Sequence, residues 1–266
     1  MIKAAVLGSP IAHSLSPRLH TAAYEFLKID GTYTSFDVPA GNLKNFLADK
    51  SELWTGFSLT MPLKEEALNC VEVIDPLVQR IKSGNTLVKE NSDWKLFSTD
   101  VPGFRNAWRM HNAENPTSIV IIGSGATARA AIAAFDSSGS KIRVVHRNSE
   151  REDSMKKSLI DSSIEFHPWI FHDFIMQADL VINTTPKFAL DGFSRNISSK
   201  PQGTFFDVIY NPWPTQFADA WHQQGGRVIG GLDLLIAQGV EQIKLFSKMS
   251  LPTDELTKFL RQELAI

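Results

Sequence analysis

A single cysteine, Cys70, stands in 266 residues. With one thiol no intramolecular disulfide can form, and a zinc site built from a cysteine cluster is excluded with it, so the chain reads as one made for a reducing compartment. Long apolar runs are missing as well. Crossing a bilayer takes roughly 18–20 consecutive apolar residues, and no segment approaches that. The N-terminal MIKAAVLGSP has one lysine and an apolar run too short for a secretory signal. The expectation is a soluble, cytoplasmic protein without a membrane partner. Neither sign of charge is in excess: 27 Lys and Arg against 29 Asp and Glu leave a formal net charge of -2, which gives no electrostatic reason to expect nucleic acid or an anionic surface. No repeat or low-complexity tract appears. Small molecules are the expected partners, and no metal site is expected.

At 43% hydrophobic and 21% charged residues the composition is that of an ordinary globular protein. The length exceeds what one hydrophobic core comfortably fills, so two domains are expected. Residues 4–7, 33–38 and 54–60 read as strands and 17–28 and 43–48 as helices, the alternation of an α/β fold with parallel units. In the first helix Leu19, Ala22, Ala23, Phe26 and Leu27 recur at i, i+3, i+4, i+7 and i+8, which predicts one buried stripe. Pro62 followed by Lys64, Glu65 and Glu66 reads as a helix start. Residues 85–88 and 94–97, joined by a polar turn at 91–93, predict a hairpin or two close strands. The polar segment 111–118, which contains Pro116, is the best linker, and a fresh strand over 119–122 follows it.

That strand runs into Gly123-x-Gly125-x-x-Ala128 and an alanine-rich helix. A plain glycine turn would need no such context. A strand before and a helix after favour a dinucleotide site, in which the glycines allow a tight turn and the N–H groups at the helix start face a pyrophosphate. At the end of the next strand, 141–145, an NAD site usually places an Asp or Glu for the ribose 2′-OH, whereas this chain reads VVHRNSER. Arg147 and Arg151 are placed to meet a 2′-phosphate, which points to NADP. A solvated basic loop is the plainer alternative.

In GSPIAHSLSPRLH, Ser16 before Pro17 makes a good N-cap. That leaves Ser14 unexplained, and two hydroxyls with free N–H groups at a helix start suit a substrate carboxylate. Lys64 sits in the first turn of a helix, where its charge adds to the positive end of the dipole. A carboxylate should compensate, and Asp100, at the end of a strand, is the candidate. Either residue alone could be solvated surface charge; the two side chains are predicted to touch. His13 and His20 read as capping or packing residues. Trp54, Trp94, Trp108, Trp169, Trp213 and Trp221 are spread without a stacking pattern and read as packing.

Ser14-Leu-Ser16-Pro17, Thr60-x-Pro62-x-Lys64-Glu65, Asn85-Thr86, Thr99-Asp100, Gly123-x-Gly125, Asn183-x-Thr185-Pro186, Asp207-x-x-Tyr210-x-Pro212-x-x-Thr215 and the stretch from Gly231 to Gln238 stand in the order and spacing of shikimate dehydrogenase. The chain resembles that family nearly end to end. The resemblance implies an α/β substrate domain over 1–101, completed by helices within 233–266, and a Rossmann-like NADP-binding domain over 102–232, with the active site in the cleft between them. It implies that Ser14 and Ser16 hold the substrate carboxylate, that Ser58, Thr60, Asn85, Tyr210 and Gln238 meet the rest of the substrate, and that Lys64 and Asp100 are the catalytic pair. Coenzyme would be held by Gly123, Ser124, Gly125, Ala126, Thr127, His146, Arg147, Asn148, Arg151, Thr184 and Gly231. The activity implied is reversible NADPH-dependent reduction of 3-dehydroshikimate to shikimate, by a monomer or homodimer. Two alternatives stay open: a quinate/shikimate dehydrogenase using NAD, and a non-catalytic paralogue that binds nucleotide and a cyclic carboxylate. Many members have Asn at the positions of Ser58 and Ser98, Gly at Val101, and Asn-Arg-Thr where His146-Arg147-Asn148 stand. Ser58 is expected to keep a substrate contact with a shorter reach, a water filling the gap.

Overall fold

The computed structural model describes residues 1–49, 53–112 and 114–265. In chain order the strands and helices are β1 (Ile2–Gly8), α1 (Ser16–Phe26), β2 (Gly31–Asp37), α2 (Leu43–Asp49), β3 (Gly56–Leu59), α3 (Leu63–Glu66), β4 (Val73–Ile74), α4 (Pro76–Ile81), β5 (Thr86–Glu90), β6 (Asp93–Phe97) and α5 (Asp100–Arg109). There follow β7 (Ser118–Ile122), α6 (Ala126–Phe135), β8 (Lys141–His146), α7 (Glu152–Lys156), β9 (Ser163–Pro168), α8 (Phe174–Gln177), β10 (Leu180–Asn183), β11 (Thr204–Asp207), α9 (Gln216–Gln223), β12 (Arg227–Ile229), α10 (Gly231–Ser247) and α11 (Thr253–Leu264). They form two compact units, Met1–Gly103 with Leu235–Ile266, and Phe104–Leu234.

The first unit holds a mixed sheet in the order β2-β1-β3-β5-β6-β4. β1 pairs in parallel with β2 and β3, while β5 runs antiparallel to both β3 and β6. The hairpin expected around 91–93 is the β5–β6 turn, where Asn91 adopts φ 56°, a left-handed conformation that asparagine tolerates better than most residues. One face of the sheet buries Leu7, Phe57, Leu87 and Leu96 against Leu43 and Leu63. On α1 the predicted stripe holds for Leu19, Ala22 and Ala23, but Phe26 is 39% exposed. It lies at the stripe's edge and stacks on Phe259 of α11, ring centroids 4.7 Å apart. The final helices thus return to this unit. A Cβ on Gly239 of α10 would stand 2.9 Å from Leu19, and one on Gly56 of β3 would stand 2.3 Å from Phe246.

The second unit has an all-parallel sheet in the order β12-β11-β10-β7-β8-β9, the doubly wound order of a Rossmann fold, whose direction reverses between β7 and β10. β7 and β10 are buried throughout except Ser118 at the start, as expected of strands covered on both faces. The unit begins inside α5, upstream of the polar segment expected to be a linker: Phe104 packs edge-on to Phe206, and Trp108 to Phe135. Residues around His111 therefore belong within this unit, where His111 pairs with Asp233 at 3.3 Å. Among the described residues no helix is long and apolar enough to cross a membrane, and no group of His, Cys, Asp and Glu is arranged to hold a metal ion.

Candidate active site

Two loops leave the first sheet together. Ser9 N–H donates to the Met61 carbonyl at 3.1 Å and Thr60 N–H to that of Leu7 at 2.9 Å. A Cβ on Gly8 would stand 2.3 Å from Thr60 Cγ2, so the approach requires glycine. The same backbone ties in the next strand, because Leu59 N–H donates to Asn85 C=O at 2.7 Å and Gly84 N–H to Lys64 C=O at 2.9 Å. Lys64 Nζ lies 2.5 Å from Asp100 Oδ2, with side-chain exposures of 16% and 6%, so the predicted pair is formed and largely shielded from bulk water. Asp100 Oδ1 accepts from Asn85 Nδ2 at 2.9 Å, and that amide also reaches Gln238 Oε1 at 3.2 Å. Asn85, Thr99, Asp100 and Gln238 are all buried.

The local setting of the pair differs from the sequence reading. α3 is a single turn that continues as a 3-10 turn over Ala67–Asn69, too short for a sizeable dipole. Glu66 does not offset that helix end; it accepts from Gly41 N–H and Leu43 N–H at 2.8 and 3.0 Å and so fixes the start of α2. Asp100 opens α5 instead of ending a strand.

Ser16 is not the cap that its place before Pro17 suggested. It is the first helical residue, and α1 has no side-chain cap bond. Ser14 Oγ instead accepts Ser16 N–H at 3.3 Å, a long contact that leaves the hydroxyl half-buried with its proton available. Ser58 is buried and turned into the protein: it accepts from Tyr33 OH at 2.7 Å and donates to Gln242 Oε1 at 2.8 Å. His20 is packing, as expected, with its ring stacked on Tyr33 at 3.8 Å, and burial lowers its pKa to about 3. His13 is exposed.

In the second unit Gly123 follows β7 with φ 121° and its missing Cβ would lie 2.3 Å from Thr184 Oγ1; Thr184 in turn donates to Ile122 C=O at 2.9 Å. Gly125 precedes α6 without a side-chain cap bond. The N–H groups of the first turn, from Ala126 and Thr127 onward, are therefore offered to an anion at the switch point of the sheet. Gly231 opens α10 where a Cβ would strike Val208 O at 2.3 Å. Arg151 Nη1 donates to Ser124 C=O at 3.4 Å. Arg147 is exposed, its guanidinium 4.2 Å from the Trp169 ring centroid, and both line a pocket with His146, Glu152 and Phe166. His146 is buried, with Nδ1 at 3.0 Å from Asn148 C=O and Nε2 at 3.4 Å from Glu152 Oε1. Asn148 Oδ1 accepts from Glu150 N–H at 3.0 Å. Tyr210 belongs to this unit and is half-buried.

Several residues escaped the sequence reading. Trp169 packs against the core of this unit as expected, 5.3 Å from the Phe193 ring, and also meets the Arg147 guanidinium, while Trp213 is 42% exposed. Glu152 brings a carboxylate to the pocket at the end of β8, although neither His146 nor Arg147 at the strand end is acidic. The Asn183 and Asp207 motifs form a buried knot: Asp207 accepts from Asn183 at 2.9 Å and from Thr215 at 2.8 Å, and burial pushes its carboxyl above the usual carboxylate range despite these bonds. The knot joins the loops after β10 and β11. Gln242, one turn beyond Gln238, carried no sequence signal beyond its i+4 spacing.

Residues 6–87 match a family described as "Shikimate dehydrogenase substrate binding domain". The NADP(+)-dependent shikimate dehydrogenase of Nostoc sp. is 32% identical over 98% of this chain and 96% of its own, and that of Ignicoccus hospitalis 31% identical over 91% and 92%. Among solved structures, the Mycobacterium tuberculosis shikimate dehydrogenase is similar at a TM-score of 0.84 with 32% identity, covering 98% of this chain and 100% of that one. Shikimate 5-dehydrogenase from Thermus thermophilus in complex with NADP(H) and shikimate is similar at 0.83 with 28% identity, covering 99% and 100%.

Proposed function

Because the chain belongs to the shikimate dehydrogenase family, we propose that it reversibly reduces 3-dehydroshikimate to shikimate with NADPH and that Lys64 and Asp100 carry the proton transfer. The observation that carries this reading is the shielded 2.5 Å Lys64–Asp100 contact, held by Asn85 and Gln238. A positioned ammonium donates to the oxygen that becomes the C3 hydroxyl, and in the reverse direction the amine takes that proton back. Asp100 and Asn85 offer acceptor and donor atoms for the neighbouring hydroxyls, and Thr60 reaches the same loop pair. The Gly123 turn, the uncapped start of α6 and the Arg147 and Arg151 side chains fit a dinucleotide bearing a 2′-phosphate, which supplies the hydride when bound. Initial rates with shikimate and quinate, each with NADP⁺ and NAD⁺, test the reading: turnover with shikimate and NADP⁺ is expected to lead the four. No turnover in any of them overturns it in favour of a nucleotide-binding paralogue.

Ser14 and Ser16 we assign to the substrate carboxylate. Ser14→Ala is expected to raise KM for shikimate roughly tenfold, the order of a lost hydrogen bond to a charged group. The melting temperature should hardly move, since the bond from Ser16 N–H that ties the hydroxyl to α1 is a long one at 3.3 Å. A lower melting temperature with unchanged KM would mark Ser14 as a helix-start residue alone.

A further inference from the structure

Gln238 and Gln242 stand one turn apart on α10, and both are buried. A buried amide must satisfy its polar atoms inside the protein. Gln238 does so at Asn85 and Thr99; Gln242 does so farther from the catalytic pair, and its bonds have a fixed direction. Tyr33 OH donates to Ser58 Oγ, so Ser58 gives its own proton to Gln242 Oε1. The same oxygen accepts from His20 Nε2 at 3.2 Å. With Oε1 so occupied, Gln242 Nε2 donates to Thr86 Oγ1 at 3.2 Å. The Thr86 hydroxyl is left to donate onward, to Asn85 Oδ1 at 3.2 Å or to Thr99 Oγ1 at 3.2 Å, and the Thr99 hydroxyl reaches the same Asn85 oxygen at 3.2 Å. Asn85 Oδ1 receives Thr99 N–H at 2.7 Å as well, which directs the amide nitrogen to Asp100 Oδ1 and leaves Oδ2 for Lys64.

We propose that Gln242 is a positioning residue for the reaction, setting the orientation of Asn85, and through it Asp100 and Lys64, by way of Thr86. The inference rests on the reading of Lys64 and Asp100 as the proton-transfer pair. The network is an orienting device and not a proton relay, because His20 stays neutral in its burial and burial raises Tyr33 far above its ordinary value. Ser58 acts in the same device, as the hydroxyl that fixes which end of the Gln242 amide faces Thr86.

The test compares wild type with Gln242→Met, Gln242→Glu, Thr86→Val, the Gln242→Met/Thr86→Val double variant, and Lys64→Met as reference. Gln242→Met keeps the length and loses both polar ends. Gln242→Glu puts an acceptor where the amide donated to Thr86, so that the Thr86 hydroxyl turns away from Asn85. Each single variant at 242 or 86 is expected to lower kcat about 3- to 10-fold with KM for NADP⁺ unchanged, and the double variant to fall no further than the lower single, because groups in one hydrogen-bond network couple. If Gln242→Met does not fold, Thr86→Val decides: a severalfold lower kcat at unchanged coenzyme KM supports the inference. Wild-type kcat in the 242 and 86 variants while Lys64→Met is impaired overturns it, as do effects that multiply in the double variant. Full activity in Lys64→Met removes the underlying reading instead.

Discussion

Lys64→Met is expected to lower kcat in both directions by roughly 10²- to 10⁴-fold, the usual worth of a positioned acid or base, while shikimate still binds. Methionine keeps much of the stem and loses the proton. Shikimate oxidation needs Lys64 as proton acceptor and the reverse reaction needs it as proton donor, so the two directions should fall together. The measurement is kcat in each direction at saturating substrate and coenzyme, with KM for shikimate beside it; a variant that keeps the rate in both directions would take Lys64 out of the mechanism. Asp100 is not free to replace it, since its Oδ1 is already engaged by Asn85 and its Oδ2 faces Lys64.

The legible parts of this site were those whose chemistry is local. A strand running into Gly123-x-Gly125 and a helix is a motif within a few residues, enough to expect a Rossmann-like unit, whereas the reversal of strand order between β7 and β10 is set by the tertiary structure. Lys64 and Asp100 could be paired from sequence because Lys64 read as an awkward charge at a helix start and Asp100 as the carboxylate to offset it, although α3 is a single turn and Asp100 opens α5. What stayed hidden depends on long-range packing. Nothing near Gln242 in sequence announces that Ser58, 184 positions away, gives it a proton, and Trp169 meets Arg147 because β9 lies parallel to β8 in a register that sets Pro168 opposite His146. Ser16 was misread for a different reason: the helix starts one residue earlier than its proline suggests, so the residue chosen as a cap lies inside the first turn, a boundary that sequence patterns fix only to within a residue or two.

Arg147→Ala is expected to weaken NADP⁺ roughly 10- to 100-fold, the order of a lost charge-assisted hydrogen bond to phosphate, and to leave NAD⁺ nearly unchanged, because NAD⁺ offers the guanidinium no 2′-phosphate. Arg147 is exposed, so part of that contribution is screened by salt; raising the ionic strength should raise KM for NADP⁺ in wild type and have less effect on the variant. Trp169 makes the arginine more than a loose surface charge. The indole holds the guanidinium beside its ring, 4.2 Å from the centroid, a contact worth about 0.5–1 kcal/mol at an exposed site. Trp169→Ala should therefore cost NADP⁺ a smaller factor, about 2- to 5-fold, again with NAD⁺ little altered. Glu152 lines the same pocket, but its carboxylate faces His146 at 3.4 Å and Lys156 at 4.0 Å, so it does not stand alone against the phosphate. The comparison is KM for NADP⁺ and NAD⁺ in wild type, Arg147→Ala and Trp169→Ala at low and high salt. If Arg147→Ala weakens both coenzymes equally, the arginine shapes the pocket without reading the phosphate, and NADP selection must come from Arg151, whose Nη1 already reaches the Ser124 carbonyl of the glycine turn.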